Sequence, residues 1–269
     1  MKSFLYKVLL NKGLLLFVNG ILLSSCFYFK TESKYEDAIF EGIVDNIKLQ
    51  AHPDDNIDSF FVAAMQMTHT LEYNRQKIFS GNRLKGLKAE LFRPATIDLM
   101  TGDGACGSYT TVLARILKAG GYQVRIAQMI VNGTIGGHMV VEVKKRSNWI
   151  VLDPLLQQYF KKPDGSLASF KDVHNNWLYY QKQTDSNYVD AYNYQGVNYT
   201  NWNKIKYVGP SAKWVLELVL GKEKTSEVSI RSYILRKYNL LYLISLAAFI
   251  VSSITLIISF RLNRIKWAK

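Results

Sequence analysis

Apolar positions recur along this chain with three spacings, and each predicts a different element. Gly13–Phe29 and Leu240–Phe260 contain no charged residue, in runs of 17 and 21 residues. The first is at the lower limit for a bilayer-spanning helix and the second is long enough. Between them the pattern becomes helical. Ser33-Lys34-Tyr35-Glu36 has the capping-box form, and Tyr35, Ile39, Ile43 and Ile47 follow at four-residue steps, with Phe40 and Val44 beside them. That predicts an amphipathic helix starting at Ser33. A turn over 51–57 then leads to a second helix over 58–79, closed by Gly81-Asn82. Residues 83–93 read as a solvated basic connection. A third helix runs to Ala119, with Val112, Leu113, Ile116 and Leu117 on its apolar side and Gly120-Gly121 at its end.

The spacing changes again after this helix. Met139–Val143 and Trp149–Leu152 are strand-like runs on either side of a charged turn, 144–148, and predict an antiparallel hairpin. Lys161 to Ser166 is a turn. Residues 177–207 are rich in aromatic and amide side chains and read as a loop-rich layer packed by amphipathic rings. Trp214, Val215, Leu218 and Val219 predict a short helix ending at Gly221, and 222–227 a charged linker. The implied fold class is α+β: helices first, then an antiparallel sheet, flanked by two membrane-length segments.

Three residues stand out chemically. Cys106 follows the glycine-rich stretch Gly102-Asp103-Gly104-Ala105 and opens the third helix, where unpaired N–H groups and the positive dipole end favour a thiolate. His138 opens one predicted strand and Asp153 ends the next, so the hairpin can bring them together. A Cys, a His and a carboxylate supply nucleophile, general base and orienting group for acyl transfer. A metal reading of the same three residues lacks a CxxC or HxxxH pair, so no metal and no cofactor is expected. His52, His69 and His174 read as structural or solvated.

The stretch from about 95 to 160 resembles the transglutaminase-like superfamily, a branch of the papain-like thiol enzymes. The matching pieces are Gly104-Ala105-Cys106 with its helix, Gly120-Gly121-Tyr122-Gln123-Val124-Arg125, Gly137-His138-Met139-Val140-Val141-Glu142-Val143, and Trp149-Ile150-Val151-Leu152-Asp153-Pro154. Met139-Val140 departs from the family's frequent small residue followed by an aromatic. The resemblance implies a papain-like core with catalytic residues Cys106, His138 and Asp153, in a membrane-anchored bacterial member. It also implies a cysteine peptidase or amidase acting on a peptide or protein amide. The alternatives are a cross-linking transamidase, or a non-catalytic membrane-tethered binding module that keeps the fold.

The net charge of +13 suggests a nucleic-acid binder until its distribution is considered. Lys2, Lys7, Lys12 and Lys30 flank the first apolar run, and Arg261, Arg264, Lys266 and Lys269 follow the last, with no acidic residue in either end region. This is the positive-inside pattern, so membrane lipid rather than nucleic acid is the expected partner. A peptidoglycan- or polysaccharide-associated partner is a further expectation. The expected organisation is a signal anchor or signal peptide over 1–30, a helical part over 31–94 and a catalytic core with its aromatic extension over 95–210. A linker over 211–238, a membrane helix over 239–260 and a cytoplasmic tail over 261–269 complete it. The core is expected outside the cytoplasm. Leu23-Ser24-Ser25-Cys26 also resembles a lipobox, which would lipidate Cys26. With Cys26 in the first apolar run, Cys106 has no disulfide partner in the core, and a free thiol outside the cytoplasm points to reactivity.

Overall fold

The alternating positions between Val124 and Tyr159 build most of a five-stranded antiparallel sheet in the computed structural model of the chain. The structure describes residues 11–51, 57–79, 85–86, 88–186, 188–202 and 209–267. The strands are β1 (Val124–Val131), β2 (Thr134–Lys145), β3 (Asn148–Asp153), β4 (Gln158–Tyr159) and β5 (Val197–Asn198), in the order β4-β3-β2-β1-β5. Asn132 and Gly133, both at positive φ, turn β1 into β2, as a tight hairpin with right-handed strand twist requires. The register sets Met129 opposite His138, Ala127 opposite Val140 and Val141 opposite Leu152. Side chains alternate across the sheet, so His138, Val140 and Asp153 share one face, while Val141, Val143 and Leu152 share the other.

The helices before the sheet are α1 (Lys12–Ala51), α2 (Ile57–Phe79), α3 (Ala95–Thr101) and α4 (Cys106–Ala119), with a π-helical turn at Lys88–Phe92. After it come α5 (Phe170–Asn175), α6 (Trp177–Tyr180), α7 (Gly209–Leu220), α8 (Lys222–Ser226), α9 (Ile230–Tyr233) and α10 (Lys237–Trp267). The class is α+β.

The chain forms two compact units, Asp37–Leu235 and the pair of segments Met1–Glu36 and Arg236–Lys269. In the first, one sheet face is aliphatic. Phe40, Val44 and Ile47 of α1, Phe60, Phe61 and Met65 of α2, and Val112, Leu113, Ile116 and Leu117 of α4 bury against Ile126, Val141, Val143, Ile150 and Leu152. The opposite face is aromatic: Ala127, Met129, Val140 and Val151 meet Phe160, Phe170, Tyr180, Tyr194 and Tyr199. Arg115 of α4 is buried but not bare. It pairs with Asp37 and lies 4.9 Å from the Phe40 ring centroid.

In the second unit two apolar helical segments run antiparallel. Lys12 sits over the Phe260 ring, Asn19 donates to Ser252 Oγ at 2.9 Å, Ser253 donates to Asn19 Oδ1 at 2.7 Å, and Tyr28 meets Tyr238 edge-on. Both helices, α1 near the N-terminus and α10, are long and apolar enough by length and composition to cross a bilayer.

Local expectations change in three places. Ser33 does not cap a new helix: α1 runs unbroken from Lys12 to Ala51, and Ser33 is buried within it. A capping side chain acts only where the preceding backbone leaves the helix, and no proline before residue 53 forces it to leave. The basic connection contains the π-helical turn at 88–92. The linker at 222–227 is largely α8. The turn at 52–56 with His52, and Gly81-Asn82, lie outside the described residues.

Candidate active site

Glycine and a held turn set the start of α4. Gly102 caps α3 at φ 60°, and a Cβ there would lie 2.7 Å from the Glu72 carbonyl oxygen, so the turn requires glycine. Arg93 donates to the Asp103 carbonyl at 2.5 Å and to the Asp98 carboxylate at 3.1 Å, tying the turn to α3. Ala105 then sits at φ 44° and ψ −132°, a strained conformation for a residue with a Cβ, and Cys106 becomes the first residue of α4. Its N–H has no intrahelical acceptor. A Cβ on Gly107 would come within 3.0 Å of the Met139 methyl, so a bare backbone here brings the first turn of α4 against β2 beside His138.

His138 and Asp153 are both fully buried on the aromatic face of the hairpin. His138 Nε2 donates to Asp153 Oδ2 at 2.6 Å. The other carboxylate oxygen accepts from the Leu155 and Leu156 backbone N–H groups at 3.1 and 3.3 Å. Three donors thus fix Asp153, and Asp153 fixes the tautomer and tilt of the ring. Nδ1 is left buried without a well-formed bond among the described residues. Cys106 is close enough that its sulfur favours imidazolium. Burial is the largest influence on His138 and pushes its pKa down. The Asp153 charge and hydrogen bond, followed by the hydrogen bonding and charge of Cys106, outweigh it and lift the pKa to about 9. The structure therefore brings Cys106, His138 and Asp153 together.

One more side chain borders all three. Tyr192 stacks on the His138 ring, centroids 4.1 Å apart and planes 9° from parallel. Its phenol pKa is raised by burial, then by the charges of Cys106 and Asp153. The sequence offered only an aromatic-rich stretch here, with nothing to separate Tyr192 from its neighbours. Tyr188 and Tyr194 lie behind Asp153, whose charge, after burial, helps hold their hydroxyls protonated.

Glu72 was also invisible in the sequence. It is fully buried under the helix that Cys106 opens and accepts from Ser108 Oγ. Burial, only partly offset by that bond, raises its pKa to about 8, so it is neutral at physiological pH. His69 is structural: its Nδ1–H donates to the Pro154 carbonyl at 3.0 Å and steadies the turn after Asp153. His174 lies in α5 and binds the Tyr194 carbonyl at 2.7 Å.

A cavity of about 680 Å³ opens around Arg125, Glu142, Trp149 and Tyr199, apart from Cys106. Its centre is a closed network. Arg125 lies between the Trp149 and Tyr199 rings at 4.2 and 4.1 Å and donates to Glu142 at 2.8 Å, and Tyr199 donates to the same carboxylate oxygen. Among the described residues no group of three His, Cys, Asp or Glu side chains forms a metal-holding set. Comparison of the chain with family models, curated proteins and solved structures finds no match.

Proposed function

We propose that this chain is a membrane-anchored thiol enzyme of transglutaminase-like type that hydrolyses amide bonds through a Cys106 thioester. The observation that carries the reading is the His138 ring, held by Asp153 through Nε2 and turned toward Cys106 on its other side, at a helix N-terminus. With His138 protonated near neutral pH, the reactive form pairs the Cys106 thiolate with an imidazolium. The thiolate attacks the amide carbonyl carbon, and the Cys106 N–H donates to the developing oxyanion. Collapse breaks the C–N bond, and the leaving amine takes the imidazolium proton. Water then gives a proton to the neutral ring and attacks the thioester, and the acid leaves as the thiolate and imidazolium return. Asp153 stabilises the imidazolium at each stage.

The anchoring reading rests on the antiparallel pair of apolar helices and their basic flanks. Both termini then lie in the cytoplasm and residues 31–237 outside. Fusions of a reporter active only outside the cytoplasm test this: activity near Gly221 and none after Lys269 is expected, and the reverse overturns it.

An electrophilic thiol probe followed by mass spectrometry tests the chemistry. Labelling of Cys106 in the intact protein, lost in Cys106→Ala and strongly slowed in His138→Ala, is expected. Labelling no faster than that of an ordinary exposed cysteine and indifferent to His138→Ala overturns the reading and leaves a binding module. Added primary amine distinguishes a transamidase by appearing in the product.

A further inference from the structure

Helix α7 presents an apolar surface to the outside of its unit. Trp214, Val215, Leu218 and Val219 are 62%, 49%, 66% and 73% exposed. These positions spread around one broad side of the helix. Lys213 and Glu217 lie on the other and pair with each other at 3.7 Å. A helix is amphipathic in this way because something apolar covers it, and a contiguous exposed patch of this kind marks an interaction surface.

The chain itself indicates what covers it. Leu220 is 17 residues before Lys237, where α10 begins, so even fully extended chain keeps α7 within about 60 Å of the membrane-length helix. The intervening stretch carries a second exposed apolar pair, Tyr233 and Ile234. From Lys213 to Lys237 there are six basic side chains against three acidic ones. Apolar residues with Trp and Tyr among them, set between lysines and arginines next to a spanning helix, match the chemistry of the bilayer interface. There an aromatic ring is half buried and a cation meets anionic headgroups.

We propose that α7 lies along the bilayer surface, with Trp214, Leu218 and Val219 in the acyl-headgroup boundary and Lys213 and Glu217 facing water. The proposal rests on the membrane-anchored reading above but not on the thiol chemistry. The helix acts as a second, peripheral contact with the bilayer, in addition to the membrane-length helices.

The test is site-directed spin labelling of the full chain in nanodiscs of phosphatidylcholine and phosphatidylglycerol, in a Cys26→Ser, Cys106→Ser background. Labels are placed at Trp214→Cys, Leu218→Cys, Glu217→Cys and, as the anchoring control, Ile250→Cys. Accessibility to oxygen and to a neutral nickel chelate is read at each. Positions 214 and 218 are expected to favour oxygen several-fold over the chelate, and position 217 the reverse. Equal chelate access at 217 and 218 overturns the proposal while leaving anchoring intact if 250 is in the bilayer core. Shielding of 218 from both reagents overturns it in favour of a protein cover, a second copy if the labels couple. A water-exposed label at 250 overturns it together with the anchoring.

Discussion

The two faces of the sheet are built from different materials and make different contributions to the candidate site. The face under α4 is almost wholly aliphatic, and its packing is non-directional: it fixes where the helix lies but makes no hydrogen bond to the chemistry. The opposite face is aromatic, carrying hydroxyls and ring planes, and it holds His138 and Asp153 fully buried. Cys106 comes from the first face and its two partners from the second. The helix that Cys106 opens is thus laid down by apolar packing, with its first turn held by Arg93 and Ser108, whereas the imidazole is held by polar and ring contacts. A buried ion-bearing pair needs partners that aliphatics cannot supply.

Substitutions on the two faces should therefore fail in different ways. The largest effect is expected at Asp153→Asn, which keeps a hydrogen-bonding group but loses the carboxylate that stabilises imidazolium. Turnover falls by roughly four orders of magnitude, as in the comparable serine-protease change, with little loss of Tm. Equal turnover at equal Tm removes Asp153 from its role. On the aliphatic face, Leu113→Ala opens a cavity and costs about 2–5 kcal/mol of stability in denaturant titration. The pH dependence of the surviving activity stays in place, and a displaced pH profile would mean that the aliphatic face tunes His138 after all.

Two smaller predictions concern protons. The His138 pKa, ordinarily 6.5, is about 9 in the fold, so its contribution to stability is complete below 6.5 and is lost as pH rises through 9. Glu72 acts in the same direction: the fold keeps its proton up to about pH 8, whereas the unfolded chain releases it near 4.5. Stability therefore falls as pH rises through that window. Glu72→Gln keeps a partner for Ser108 and flattens the fall by on the order of 1 kcal/mol per pH unit, read from denaturant midpoints between pH 5 and 8. Unchanged midpoints across the series would place an ionised Glu72 in the fold. Finally, Tyr192→Leu removes a ring stacked on a cation, an interaction of about 0.5–2 kcal/mol, and lowers the His138 pKa by up to about 1.5 units. Imidazole NMR titration reads this directly, with Tyr192→Phe behaving as the parent. Equal pKa values in the Leu and Phe variants would make Tyr192 a covering residue only.

Much of the candidate site was legible because its determinants are local. A glycine-rich turn before an apolar 3.6-residue period puts Cys106 at a helix start, and a period of two on either side of a charged turn makes a hairpin. The alternation from His138 to Asp153 then places both on one face. Ser33 shows the limit of local reading, since its capping pattern is genuine but inactive inside a helix that continues through it.

The sequence by itself determined the α+β class, the helix that Cys106 opens, the hairpin of β2 and β3 and the two apolar ends, since each follows from periodicity or charge over a few turns of chain. Tertiary structure alone decided which of the nine aromatics between 177 and 207 stacks on His138, and that a carboxylate from α2 is buried neutral beneath the helix that Cys106 opens. It also decided that the apolar side of α7 faces outward. Each of these depends on what lies opposite a side chain in space, and for Tyr192 and His138, or Glu72 and Ser108, the partners are 54 and 36 residues apart along the chain. No spacing rule reaches across such distances.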